Sequence, residues 1–482
     1  MASMVARKKL PILLISVYLL AVVARLGPVI AAREMTIGLD DMFQYDMLAR
    51  SLAAGEGYRW YAENDLALVE HYFPLQWIVD DYDPRGILTS FRAPGYPFFL
   101  SLIYRGAGLE DRFLVARLVQ VFITALLAPM TCLLALHLFP QKYSIAKISG
   151  VVIALYPFLV MYPLALASEV IFIPLVLGAV LMLIRAGETH HWQDYLLAGV
   201  LLGGAAMTRS VIIAVFPVMV LWAWLMAKDR KGALILLASV LVITVPWSVR
   251  NSMLHGKFTF IESMMGYNLY LGYHPETEGK FEFGPSVDLL PYLDDSERDR
   301  LGTEKALGFI RQEPWRVPYL MLRKLGYSFG LERRELTYFY SNDFVGYLPK
   351  PSLMLLFVVF TMPFVLIILS VAMVIPRLTW EKNHLLVAGV FLTYLAPHLL
   401  ILSEPRFHLT LVPFLAVFAA YNWVERRSVM ANLNPQSGWW KLALALVLTG
   451  LLLFNWGFEL WSDADKLRLL FGPEGNTTYF SY

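Results

Sequence analysis

Long apolar runs, broken by short charged stretches, constrain this chain more than any other feature. They lie at 10–32, 113–139, 145–163, 168–186, 193–209, 211–226, 232–249, 351–375, 384–402, 407–424 and 440–456. A helix that crosses a bilayer core needs about 20 mostly apolar residues, and each run comes near that length. Soluble domains are about half apolar; here the hydrophobic share is 58%, and the excess sits in the runs. Two pairs of runs are separated only by Arg209-Ser210 and by Ser403-Glu404-Pro405-Arg406, so each pair reads as a tight hairpin. The expected fold is an all-α polytopic membrane protein of about eleven transmembrane helices.

Charge gives the orientation. Arg7, Lys8 and Lys9 precede the first run, and Lys142, Arg185, Lys228, Arg230, Lys231, Arg377, Lys382, Arg426 and Arg427 fall on the same side of the alternating spans. The positive-inside rule makes that side cytoplasmic. The first run exceeds the apolar stretch of about 7–15 residues in a signal peptide, so a retained helix is expected. The resulting plan has a first transmembrane helix at 1–32, an extracytoplasmic loop with interfacial helices at 33–112, and helices two to seven at 113–249. A second large extracytoplasmic loop follows at 250–350, then helices eight to eleven at 351–456 and an extracytoplasmic tail at 457–482.

Within the first loop, Met42, Tyr45, Leu48, Ala49 and Leu52 recur at helical spacing, which predicts an amphipathic helix lying at the interface. The apolar piece from Phe98 to Tyr104 is too short to span and should be re-entrant or parallel to the surface. The second loop should hold helices from Ser296 to Gln312 and from Trp315 to Phe329. The net charge of +2 gives no reason to expect a nucleic-acid partner. The single cysteine, Cys132, excludes an internal disulfide and a cysteine metal cluster.

Few residues at the outer face carry chemistry. Asp40 and Asp41 open the first loop's helix; they suit a helix N-terminus and its dipole, or alternatively a base accepting a proton from an attacking hydroxyl, or a cation ligand. Glu169 follows Ser168, a good N-cap, but an ionisable residue at such a depth should face protein or a wet cavity. Arg92, Arg209 and Arg406 fall on the same face. They either anchor to lipid head groups or line a charged cavity and grip a phosphate, for which arginine is the preferred bidentate partner. His71, His255 and His274 lack metal-ligand spacing, and packing is the favoured reading. The loop aromatics suit an interfacial belt, sugar stacking or a lipid tail.

The stretch GLDDMFQYDMLARSLAAGEGY resembles the first outer loop of GT-C membrane glycosyltransferases, in the protein O-mannosyltransferase and lipid A aminoarabinose transferase-like branch. The pattern falls on Asp41, Tyr45, Ala49 and Gly55-Glu56-Gly57-Tyr58. RAPGYPFFLSLIY from Arg92, LALASEVIFIPL around Glu169, GGAAMTRS with Arg209, VPWSVRN with Arg250, and SEPRFHLTLVPFLAVFAAY with Arg406 resemble later blocks in the same order. The resemblance implies a GT-C-like fold with its active site on the extracytoplasmic side of the cell's inner or plasma membrane. It implies transfer of a sugar from a polyprenyl-phosphate donor to a glycan, lipid or protein hydroxyl. Asp41 matches the family's motif acid, with Asp40 as the alternative base; Glu169 is the second acidic motif. Arg92, Arg209 and Arg406 would bind the donor phosphate, with Tyr45, Arg250 and His71 as further candidates. Family members differ in metal use, so Mg or Mn held by Asp40, Asp41 or Glu169 stays open. Rival readings are a transporter or flippase for lipid-linked saccharides, and a non-catalytic assembly subunit.

Overall fold

The computed structural model describes residues 2–38, 41–69, 82–140, 142–289, 292–341, 345–426 and 439–477. The described residues form an all-α membrane protein whose one sheet is a two-residue antiparallel pair, Arg59–Trp60 with Ile87–Leu88. Among the described residues, seven helices are long and apolar enough to cross a bilayer: Lys9–Ala31, Arg112–Leu138, Glu169–Thr189, Arg230–His255, Lys350–Arg377, Lys382–Leu400 and Trp439–Ser462. Tyr143–Leu155 and Pro157–Leu164 make an eighth if counted as one span bent by 51°. The other expected runs form shorter elements, Trp192–Thr208, Ser210–Met226 and Val412–Val424. Length and composition therefore support seven or eight crossings where the apolar runs suggest eleven.

The bend has a local cause. Pro157 disfavours helical backbone in the residue before it, and Tyr156 accordingly has ψ 115°. Breaking a helix within a bilayer leaves carbonyls without partners. Arg25, fully buried in the first span, supplies donors to two of them: Ala154 O at 3.0 Å and Ile153 O at 3.3 Å. Elsewhere small residues let helices touch. A Cβ on Gly199 would stand 2.5 Å from the Ser239 Cβ, and one on Gly203 would stand 3.0 Å from Ile243. This spacing of small residues on Trp192–Thr208 brings it flush against Arg230–His255.

The two large loops meet over one end of the bundle. The Asp41–Ala54 helix is not an interfacial helix with one lipid-facing side; both of its faces are covered. Met42, Tyr45 and Ala49 pack with Tyr96, Leu100 and Tyr104 of the Gly95–Ala107 helix. Phe43, Met47 and Leu48 pack into a second apolar cluster with Tyr58, Trp60, Phe91, Tyr267 and Leu271. Its buried Asp46 explains the difference. A carboxylate in that position needs partners, and it has Arg50 at 2.8 Å, Arg112 at 2.8 Å and the Tyr104 hydroxyl at 3.0 Å. The second loop closes over the first through the helices Met265–Tyr273 and Asp295–Gln312, with Tyr267, Tyr270, Leu271 and Phe309 joining the cluster that holds Phe43 and Trp60. Asp295 accepts from Thr89 Oγ1 at 2.6 Å and from Ser90 N at 2.8 Å, which ties this loop to the segment carrying Arg92.

Candidate active site

Asp41, Glu169, Arg92, Arg209 and Arg406 come from five separate stretches and meet at one end of the bundle. Asp41 is the first residue of its helix. Each of its carboxylate oxygens faces a guanidinium: Oδ1 accepts from Arg92 Nη2, and Oδ2 accepts from Arg406 Nη2 at 2.5 Å. Glu169 begins its span, and its Oε1 lies 2.6 Å from Arg209 Nη1 and 3.8 Å from Arg406 Nε. Arg406 thus bridges the two acids. Glu169 is 3% exposed and Asp41 29%, so the first carboxylate is sealed and the second can meet a ligand.

The sequence explains how each group reaches this place. Arg209 follows the last residue of Trp192–Thr208 with extended backbone (φ −149°, ψ 113°), which ends the helix there, and its guanidinium reaches Glu169 and Ser168 at the start of the neighbouring span. Arg406 stands at the second position of the short 3-10 helix Pro405–Thr410, where proline presets the turn. Arg92 lies just ahead of the Gly95–Ala107 helix. A Cβ on Gly95 would sit 2.8 Å from Met207 O, so that helix starts against the end of Trp192–Thr208. Arg117, buried inside its span, joins the two acid-bearing turns. It donates to Leu164 O at 2.9 Å, ahead of Glu169, and to Thr36 O at 2.9 Å, ahead of Asp41.

Electrostatics follow from this arrangement. Burial alone would raise the Asp41 carboxyl, but the Arg92 and Arg406 guanidiniums hold it well below the usual carboxylate range. Burial opposes the Arg406 charge, yet Asp41 and Glu169 keep it firmly protonated. Arg92, Arg209 and Arg406 face Asp41 and Glu169, with the Glu262 carboxylate also acting on Arg92, and the Arg406 Nε is buried without a hydrogen-bond acceptor. An anion entering beside Arg406 would find donors already in place.

Tyr45 belongs to the cluster. Its ring lies under the Arg92 guanidinium, 5.3 Å from the centroid, and its hydroxyl donates to Ser168 Oγ at 3.2 Å. Ser168 does not cap the following helix. Its backbone is helical (φ −61°, ψ −26°) and its hydroxyl also accepts from Arg209 Nη1 at 3.2 Å. Arg250 stands apart: it donates to Thr89 O at 2.6 Å and lies over Trp247, bracing the segment before Arg92. His255 binds Ser90 Oγ at 2.7 Å, and His274 packs between Tyr270 and Phe309. Asp40 and His71 lie outside the described residues.

Sequence reasoning missed three participants. Gln44 accepts from Arg92 Nε at 2.8 Å; its position one turn after Asp41 was a readable signal. Glu262 accepts from Ala93 N at 3.1 Å and from Ser210 Oγ at 2.5 Å, and nothing in its flanking sequence points to that role. Arg117 sits inside the apolar run 113–139, and the run's length and hydropathy gave no sign of its role. Regarding a metal, no group of three His, Cys, Asp or Glu side chains among the described residues is arranged to hold one. Both Asp41 oxygens face guanidiniums, so a divalent cation at Asp41 would have to displace a positive group, and the described donor set does not fit one.

A comparison with curated proteins finds no match. Among solved structures, the chain is similar to the oligosaccharyltransferase AglB from Archaeoglobus fulgidus in complex with an inhibitory peptide and a dolichol-phosphate, at 13% identity and a TM-score of 0.49. That alignment covers 99% of this chain and 61% of the archaeal one, so the chain spans about three fifths of that relative's length. It is also similar to ArnT from Cupriavidus metallidurans bound to undecaprenyl phosphate, at 15% identity and a TM-score of 0.38, covering 87% of this chain and 79% of the other. Residues 92–249, the stretch that carries Arg92, Glu169 and Arg209, match the model of the dolichyl-phosphate-mannose-protein mannosyltransferase family.

Proposed function

We propose that this protein transfers a sugar from a polyprenyl-phosphate donor to a hydroxyl acceptor, with inversion, at the extracytoplasmic end of its bundle. The observation that carries this reading is the clamp on Asp41, a partly exposed carboxylate between Arg92 and Arg406, with Glu169 and Arg209 sealed behind it. The match of residues 92–249 to a family named for a lipid-phosphate sugar adds weight. The orientation rests on the positive-inside rule: Lys142, Arg185, Lys228, Arg230, Lys231, Arg377 and Lys382 lie at the other end of the bundle.

In this scheme the donor's phosphate sits at the membrane surface and its tail stays in hydrocarbon. Arg406 and Arg92 neutralise the phosphate as the bond to the anomeric carbon breaks and the electron pair passes to the phosphate oxygen. The acceptor oxygen attacks the opposite face, and its proton passes to Asp41, or to Asp40 as the alternative. A carboxylate held as low as Asp41 accepts protons poorly. The scheme therefore requires the phosphate to draw an arginine away from Asp41, which returns its basicity. Glu169 keeps Arg209 and Arg406 in register throughout. A glycan, lipid or protein acceptor fits this scheme where it presents a hydroxyl.

A transporter would instead place charges along a path through the spans. Among the described residues, the two buried arginines within spans, Arg25 and Arg117, give their guanidiniums to backbone carbonyls, which favours the transferase. The test is transfer of labelled sugar from a polyprenyl-phosphate sugar by purified protein, with Asp41→Asn and Asp40→Asn side by side. Product from the wild type and loss in Asp41→Asn support the reading. Both variants folded and turning over at the normal rate would overturn the base assignment, and vesicles that move the lipid-linked sugar without product would favour transport.

A further inference from the structure

We propose that Glu332, acting through His408, is the positioning residue for Arg406; its consequence for donor binding rests on the function proposed above. Arg406 and His408 share the 3-10 helix Pro405–Thr410. With three residues per turn, positions two apart diverge, so Arg406 reaches Asp41 while His408 turns into the bundle. There His408 stacks on Phe364 at 4.3 Å, and its Nε2 lies 2.7 Å from Glu332 Oε1. The Tyr156 hydroxyl donates to the same oxygen at 2.5 Å. Glu332 is 0% and His408 2% exposed. A carboxylate accepts, so Nε2 carries the proton that joins the pair, and Nδ1 has no hydrogen-bond partner.

Glu332 is itself fixed from both flanks. Leu331 N donates to Glu459 Oε2 at 2.8 Å, and Arg333 Nη2 donates to Glu459 Oε1 at 2.6 Å and to Asp463 at 2.6 Å. Glu459 belongs to the last span, Trp439–Ser462. A rigid line therefore runs from that helix through 331–333 to the helix that presents Arg406. At the other end, Glu404 accepts from Phe281 N at 2.7 Å. A flexible arginine side chain needs a fixed backbone origin to bridge two carboxylates, and buried carboxylate–imidazole pairs give directional anchoring that apolar packing cannot.

The experiment uses full-length protein and two readouts. The first is amide hydrogen exchange across 404–411 without ligand, where Phe407 N and Leu411 N are hydrogen-bonded within the 3-10 helix. Glu332→Ala and His408→Asn are expected to speed exchange there by about tenfold or more. His408→Gln, which keeps a donor near the Nε2 position, should leave it as in the wild type. The second is affinity for undecaprenyl phosphate, which Glu332→Ala and His408→Asn should weaken by about tenfold and His408→Gln should not. On an Arg406→Ala background, Glu332→Ala should cost no further affinity, since it acts through the missing arginine. Equal behaviour of His408→Asn and His408→Gln, or full additivity of the Arg406 and Glu332 changes, overturns the inference. If Glu332→Ala does not fold, the His408 pair decides. If the wild type does not bind undecaprenyl phosphate, the donor reading fails while the exchange measurement still decides the positioning role.

Discussion

Arg406 Nη2 stands 2.5 Å from Asp41 Oδ2, across 365 residues of sequence. The same guanidinium turns its Nε toward Glu169 Oε1 at 3.8 Å, so one side chain from the second half of the chain organises two acids from the first.

Replacing Asp41 by Asn keeps the shape and removes the charge and the proton acceptor. Turnover of a polyprenyl-phosphate sugar should fall by on the order of 10²–10⁴, the range for a general base. Initial rates with labelled donor measure it; a fall under twofold in a folded variant would remove Asp41 from the chemistry.

Arg406→Lys keeps a positive charge but loses the planar fork that meets both carboxylates. An ammonium is a point charge and does not bridge them. The donor KM should rise about tenfold or more, roughly 1.4 kcal/mol, with the acceptor KM less affected. Steady-state kinetics varying each substrate in turn separate the two.

Glu169→Gln removes a carboxylate that is 3% exposed and leaves Arg209 without its partner. Breaking a buried pair from one side costs about 3–5 kcal/mol. The variant should unfold at clearly lower temperature in detergent, and adding Arg209→Gln should recover part of the loss. No recovery would mean that the two side chains contribute independently.

Asp41 sets an acid limit on stability. Its folded carboxyl lies below its ordinary value of 3.8 because burial is outweighed by Arg92 and Arg406. A depressed carboxyl stabilises the fold above the unfolded-state value, and that contribution is lost as the pH falls from there through the folded value. The unfolding temperature should thus hold to about pH 4 and then drop, with a shallower drop in Asp41→Asn. Identical acid limbs would contradict the clamp.

Orientation is testable by cysteine labelling, because the native Cys132 is buried. A membrane-impermeant maleimide applied to intact cells should label Glu276→Cys in the second loop and leave Lys228→Cys untouched; both positions are exposed in the fold. The reverse pattern would put the acid–arginine cluster on the cytoplasmic side.

The sequence alone determined where apolar helices can lie and which charged residues stand at their ends, because a bilayer imposes length and polarity on any chain that crosses it. The loop helices were legible for the same local reason: the periodicity around Met42–Leu52 and the helical run from Ser296 to Gln312 are features of neighbouring residues. What each charge pairs with was decided only by tertiary structure. The Asp41–Ala54 helix looked amphipathic, and the second loop folding over it buried its other face as well. Arg250 and Arg406 read alike as arginines near span ends. Folding set the first against the Thr89 carbonyl and the second between Asp41 and Glu169. Ion pairs and hydrogen bonds act over a few ångströms, and residues that distance apart in space are here hundreds apart in the chain; local pattern names the partners available and only the fold selects among them.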